Sequence, residues 1–347
     1  MITVFGGYGT FGVRVARSLA GSGVPLRIAG RDAARAAGFA GELGSHEGIA
    51  ADVNDPSSCA RALAGARVAV NCAGPFNTMA PVLPEACLAA GIHYVDIADD
   101  RAWFARVIEM DGRFRKRGLL AAPGCSSLPG ISGALALTAA ARLPAVDRAR
   151  ITLFIGNRNP KGEAAVRSAS AQLGRPFQAP QGKLIGLRGP ESVEIPPPFG
   201  RRTVHDLDSP EYDLFPDLIG AREIRVKVGF EARMASASFA VLARLGPGIG
   251  GALTRAITPF ARLASGFGHS GGAVLVELFA PDGARAAASI GGPHEGQRMA
   301  ALPAAFVAHD LYRATLEQRG ARTAYEALGA EPLLRRLAAE GFELAMA

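Results

Sequence analysis

The stretch MITVFGGYGTFGVRVARSLA, residues 1–20, decides the fold. Ile2 to Phe5 is a short apolar run rich in β-branched side chains, the pattern of a buried strand. From Thr10 to Ala20 the apolar residues Phe11, Val15 and Leu19 recur on one helical face. Between strand and helix, Gly7, Gly9 and Gly12 satisfy the spacing G-x-G-x-x-G. In that setting Gly7 makes the tight turn, Gly9 lets a pyrophosphate approach the main chain, and Gly12 lets the helix lie against the strand. Free N–H groups at the helix start then face the anion. A dinucleotide site that includes Gly7, Tyr8, Gly9, Thr10 and Gly12 is therefore expected, and a turn that serves geometry alone is the other reading.

The next strand, Pro25 to Ala29, ends in Gly30, Arg31 and Asp32. A free ribose 2′-hydroxyl is met by an acidic side chain at this strand end, whereas a 2′-phosphate needs room and a cation. Gly30 offers the room and Arg31 the cation, which favours NADP, with NAD as the alternative. Asp32 reads better as the N-cap of the following helix.

The alternation then continues. Strands are expected at Ile49–Val53, Val68–Cys72, His93–Ile97 and Leu119–Ala122, with helices from Asp55-Pro56 to Leu63, over Leu83–Ala90 and over Trp103–Arg117. This order implies an α/β chain whose N-terminal domain, residues 1–125, is a Rossmann-type doubly wound parallel sheet with ligands at the carboxyl ends of its strands. Beyond it the pattern changes. A helix over Ile131–Leu143, a strand at Ala149–Ile155, a helical segment over 162–173, a strand at Glu223–Phe230 and a hairpin turning at Pro281 to Gly283 point to a second, α+β domain over 126–295 for substrate or dimer contacts. Helices over 299–317 and 331–344, within a third segment 296–347, would close the chain and could return to the first domain.

These loops resemble the saccharopine dehydrogenase-like family of NAD(P)-binding reductases. The resemblance rests on GGYGTFG (residues 6–12), AGR at the second strand end, NCAGPF (71–76), AAGIHYVDIADD (89–100) and APGCSSLPG (122–130), with GRRTVHDLDSPEYDLFP (200–216) similar to a less characterised branch. It implies that Gly7, Gly9 and Gly12 bind the pyrophosphate, that Arg31 binds the adenosine phosphate, and that Asp52 lies near the adenine. It also implies that Gly74, Pro75 and Phe76 line the nicotinamide side. The founding activity joins two amino acids through an imine that takes hydride. No cluster of basic and polar residues here reads as a clamp for such a product, so saccharopine itself is not the expected substrate.

Hydride transfer also needs a proton donor. None of the five tyrosines is followed by the lysine of a Tyr-x-x-x-Lys pair. Asp96, Asp99 and Cys125 are the catalytic candidates, with hydrogen bonding to loop amides the equal alternative for Asp96, capping of the next helix the alternative for Asp99 and the reading of Asp100, a packing or cofactor-loop role the favoured reading of Cys125, and His93 read as a structural histidine. The expected activity is hydride transfer to or from an imine, carbonyl or activated double bond of a small, unidentified and in part apolar metabolite. A non-catalytic NADP-binding sensor or scaffold is the alternative.

Composition bounds the rest. With 347 residues and 49% hydrophobic side chains the chain can bury two cores. Its net charge of +7 is spread over scattered arginines without aromatic interleaving, which argues against nucleic acid and suits phosphate-bearing small molecules. The four cysteines show neither metal-ligand nor disulfide spacing, so no metal is expected and the cytoplasm is the expected compartment. The uncharged run Gly118 to Ala141 is broken by Pro123 and Pro129, so no transmembrane span is expected. Residues 232–268 hold no acidic residue, only Arg233, Arg244, Arg255 and Arg262 among apolar ones. Core or homodimer contact, cover for an apolar substrate tunnel and contact with a membrane surface or lipid are the readings left open.

Overall fold

The structure, a computed structural model, describes residues 1–160, 162–232, 241–244 and 266–347. Most of the acid-free segment over 232–268 lies outside the described residues, and with it the expectation of a lipid or interface role. The chain forms two compact units: Met1–Gly130 with Ala300–Gly329, and Ile131–Met299 with Ala330–Ala347.

In the first unit, strands β1 (Ile2–Phe5), β2 (Leu26–Gly30), β3 (Glu47–Ala50), β4 (Val68–Asn71), β5 (His93–Asp96) and β6 (Leu120–Ala122) pair in the order β6-β5-β4-β1-β2-β3, all parallel. A two-residue strand, Gly320–Ala321, adds a seventh beside β6. The expected doubly wound sheet is thus present, with its switch point between β1 and β4. Its central strands are buried on both faces, as the runs Ile2–Phe5 and Val68–Asn71 require. Helices α1 (Gly12–Gly21), α2 (Ala33–Glu42), α3 (Pro56–Leu63) and α4 (Val82–Ala90) follow the first four strands. Asp32 caps α2 by accepting from the Arg35 amide, and Asp55 caps α3 with Pro56 in its first turn.

Among the boundaries that differ from expectation, three have a local cause. Strand β3 lies at Glu47–Ala50, earlier than the apolar run Ile49–Val53, because Gly48 lets the strand close onto the backbone of α2: an added Cβ would stand 2.3 Å from the Ala37 nitrogen. The helix expected over Trp103–Arg117 is two helices, α5 (Arg101–Ile108) and α6 (Asp111–Lys116), divided where the Met110 amide bonds back to the Val107 carbonyl. The last helix ends at Ala339 instead of reaching Leu344, because Gly341 takes φ +94° and releases the chain into a strand at Glu343–Met346.

The second unit is a mixed seven-stranded sheet. Here α7 (Ser132–Ala140) precedes β7 (Arg148–Ile155), and α8 (Glu163–Gln172) precedes a two-stranded ribbon of β8 (Pro176–Ala179) and β9 (Gly182–Ile185). Strands β10 (Glu191–Ile195), β11 (Gly200–Asp206), β12 (Glu223–Phe230), β13 (Gly272–Phe279) and β14 (Arg285–Gly292) complete it, with α9 (Glu211–Ile219) between β11 and β12. The order is β10-β11-β12-β7-β13-β14 and then Glu343–Met346, with only β7 and β12 parallel. The hairpin through Pro281 to Gly283 is formed as its turn residues require. Inside this sheet Lys227 is buried, its ammonium 2.7 Å from Asp206 and donating to the Gly189 carbonyl at 2.8 Å.

Among the described residues no helix is long and apolar enough to cross a membrane. The uncharged run from Gly118 becomes β6, a loop and α7.

Candidate cofactor-binding site

The loop from Gly6 to Gly12 closes on itself so tightly that only glycines fit at its contact points. Gly6, with φ +68°, backs onto the chain after β4: an added Cβ would sit 2.8 Å from the Ala73 nitrogen. At Gly12 a Cβ would stand 2.1 Å from the Gly6 carbonyl oxygen. The left-handed turn thus falls on Gly6, one residue before the Gly7 that the spacing singles out. The Gly9 amide bonds to the Gly6 carbonyl at 2.9 Å, and Phe11, the residue before α1, supplies no side-chain cap. Among the described residues the main-chain N–H groups of Thr10, Phe11 and Gly12 have no partner. Three free donors at a helix start, beside the switch point, fit the pyrophosphate of a dinucleotide.

At the end of β2 the structure corrects one expectation. The room above Gly30 is taken by Tyr8, whose Cε1 would lie 2.3 Å from an added Cβ, and the Tyr8 hydroxyl accepts from the Asp32 amide at 2.9 Å. Space for a 2′-phosphate therefore lies outward of this ring. Arg31 is exposed there and without an ion pair among the described residues. After β3, Asp52 accepts from the Asn54 amide at 2.9 Å and from Asn54 Nδ2 at 3.1 Å, so its carboxylate is engaged by its own turn. After β4, Gly74 is exposed and Pro75 half-buried, but Phe76 points inward, its ring 5.3 Å from that of Trp103. Gly74 and Pro75 stay available to a cofactor surface. Phe76 supports it from beneath.

Asp96 is wholly buried and saturated. Its Oδ1 accepts from the amides of Ala98 at 3.0 Å and Gly124 at 2.8 Å, and its Oδ2 from the Tyr94 hydroxyl at 2.9 Å and Trp103 Nε1 at 2.8 Å. Tyr94 in turn accepts from Asn71 Nδ2 at 3.3 Å, and Asn71 Oδ1 takes the Ala73 amide at 3.0 Å. One buried carboxylate thereby ties together the loops that follow β4, β5 and β6. Burial pushes its pKa up against the pull of the four donors. With four donors on its two oxygens, Asp96 positions these loops, which favours the loop-bonding reading over that of a proton donor.

At Cys125 the geometry favours the packing reading. Its thiol is fully buried and donates to the Ala122 carbonyl at 3.3 Å, and burial, with Asp96 nearby, holds it far above the ordinary thiol range, so no thiolate forms. Asp100 caps α5 through the Trp103 amide at 2.8 Å. His93 accepts the Leu120 amide on Nδ1 at 3.0 Å, and burial lowers its imidazole to about 4. Asp99 alone of the three catalytic candidates is a solvent-accessible residue. The protein packed around it, with Asp100 beside it, pushes that carboxyl up to about 6.

The second unit holds a pair that sequence reasoning missed. Glu231 Oε1 lies 2.6 Å from His269 Nδ1, while its Oε2 accepts from the amides of Asn157 at 2.9 Å and His269 at 2.7 Å. Burial would raise this carboxyl, but those amides and the ring hold it below the usual carboxylate range. Thirty-eight residues separate the partners, and no spacing rule links them. Among the described residues no group of three or more His, Cys, Asp or Glu is arranged to hold a metal ion.

Comparison with known proteins agrees with the cradle. Residues 2–121 match the family described as saccharopine dehydrogenase NADP binding domain. A similar solved structure is the apo histidine-tagged saccharopine dehydrogenase (L-Glu forming) from Saccharomyces cerevisiae, at 14% identity and a TM-score of 0.69, covering 100% of this chain and 99% of that one. Serine dehydrogenase from Escherichia coli, at 14% identity, covers 35% of this chain and 80% of its own with a TM-score of 0.30, too low to carry an argument. No curated protein sequence matches. The yeast likeness shows the fold, the match to an NADP binding domain supports NADP as the cofactor, and the free amides at Thr10 to Gly12 suit the pyrophosphate of a dinucleotide. Residues 2–121 are thus similar to the saccharopine dehydrogenase NADP binding domain, and the chain as a whole shares the fold of the yeast enzyme.

Proposed function

We propose that the chain reduces an imine, carbonyl or activated double bond of a small metabolite. The observation that carries this reading is the glycine cradle at Gly6 to Gly12, whose three amides have no partner among the described residues. NADPH, when bound, supplies the hydride. The amides of Thr10, Phe11 and Gly12 hold the pyrophosphate, and Arg31 meets the adenosine phosphate. Gly74 and Pro75, supported by Phe76 on Trp103, line the nicotinamide side. Asp99, at the carboxyl end of β5 with its carboxyl at about 6, keeps a share of its protons near neutral pH. It gives one to the atom of the substrate that hydride addition leaves negative.

Cytoplasmic residence and a homodimer formed through the second unit complete the proposal. Sedimentation equilibrium tests the dimer. The reaction itself is tested by offering fractionated metabolite extract to the protein with NADPH and following nicotinamide absorbance. Oxidation by a defined fraction that fades in Asp99→Asn supports the reading. Saturable NADPH binding without oxidation by any fraction would overturn it in favour of a sensor.

A further inference from the structure

Three groups around the end of β2 have chemistry that the fold itself does not use up. The Tyr8 ring lies on Gly30 and its oxygen accepts the Asp32 amide, so its single hydroxyl proton remains to be donated outward. The Arg35 guanidinium stands 4.5 Å above the Tyr8 ring centroid, and among the described residues no carboxylate neutralises it. Contact with an aromatic face holds a guanidinium in place and leaves its edge N–H donors free. Arg31, four residues earlier, is exposed and likewise unpaired. Asp32, the acid next to Arg31 in sequence, has its carboxylate engaged by the Arg35 amide at 3.0 Å as the cap of α2.

We propose that Arg35, stacked on Tyr8, and the Tyr8 hydroxyl recognise the adenosine 2′-phosphate together with Arg31, and that they set the preference for NADPH over NADH. The assignment rests on the reading that NADP occupies the glycine cradle. Two unneutralised cations and one neutral donor suit a phosphate monoester, which carries roughly −1.5 to −2 charge at pH 7. They do not suit a ribose diol, whose usual acidic partner is withdrawn here into a helix cap. Tyr8 serves as the hinge of the arrangement, because its ring fixes Arg35 and its oxygen fixes the Asp32 amide at the same time.

The test uses the whole chain, with NADPH and NADH followed by nicotinamide fluorescence and 2′-AMP and 5′-AMP followed by calorimetry. Arg35→Met keeps a flexible stem for the Tyr8 ring but removes the charge, and Tyr8→Phe keeps the ring but removes the donor. A lost hydrogen bond to a charged group weakens binding roughly tenfold to a hundredfold, so Arg35→Met is expected to cost NADPH and 2′-AMP at least about tenfold. Tyr8→Phe is expected to cost them several-fold, and NADH and 5′-AMP stay within about twofold in both variants. Arg35→Lys restores part of the loss. A thermal melt of each variant separates misfolding from lost recognition. Equal weakening of NADPH and NADH in folded variants, or no change in either, would overturn the assignment while leaving the cofactor reading intact. Failure of the unaltered protein to bind NADPH would overturn both.

Discussion

Asp96→Asn is the sharpest probe of the loop-tying network. The amide must point its NH2 group either at the amides of Ala98 and Gly124, which can only donate, or at Tyr94 and Trp103. The second choice costs less, because the Tyr94 hydroxyl can turn and accept. Trp103 Nε1 then faces another donor, and two charge-assisted hydrogen bonds have been lost or reversed. At about 1.5–3 kcal/mol for each bond to a charged group, we expect about 3 kcal/mol of lost stability after Tyr94 adjusts. For a unit of this size that lowers the melting temperature by about 10 °C. Trp103 is the only tryptophan in the chain, so its fluorescence during urea unfolding reports from within the network. A loss below about 1 kcal/mol would refute the claim that both carboxylate oxygens are saturated by donors.

The cradle predicts that Gly12→Ala, whose methyl would fall 2.1 Å from the Gly6 oxygen, weakens NADPH binding at least about tenfold in a fluorescence titration. His93 titrates near 4 in the folded protein against an ordinary 6.5, so the neutral ring stabilises the fold fully above pH 6.5 and loses that contribution as pH falls toward 4. Urea midpoints at the two ends of this window should therefore fall more in the unaltered protein than in His93→Asn, whose side-chain oxygen can accept the Leu120 amide without titrating. Cys125→Ala should leave NADPH affinity within about twofold, and native protein should show no rapid thiol reaction at Cys125, as measured by mass spectrometry after brief alkylation.

Much of the first unit was legible because its signals are local. Gly6 to Gly12, the Asp32 and Asp55 caps and the runs at β1, β2 and β4 each fix their own conformation within a few residues. The second sheet was legible where the local pattern is strong, as in the strict alternation at Glu223–Phe230 and the turn residues of the hairpin at Pro281 to Gly283. Strands β10 and β11 escaped notice because they are rich in polar residues, with Val204 the lone aliphatic side chain of β11, and their pairing rather than their composition makes them strands. Side-chain roles were legible only by type. That a carboxylate would matter after β5 could be read from the pattern, but whether Asp96 is free or consumed depends on Trp103, Gly124 and Tyr94, which only the fold assembles. Arg35 was missed because its partner, Tyr8, lies on the glycine loop twenty-seven residues away in sequence.

Both sheets take their last strand from the same short stretch. Gly320–Ala321 adds beside β6, and Glu343–Met346 adds beside β14, after the other strands of both sheets have been made. During synthesis the chain therefore carries two unfinished sheet margins at once, each with main-chain donors and acceptors open to a neighbouring chain. A frameshift or cleavage near residue 319 would leave the NADP cradle itself intact in sequence, yet hold both margins open for as long as the truncated protein exists. Self-association, rather than a failure to recognise nucleotide, is then the first defect to be seen.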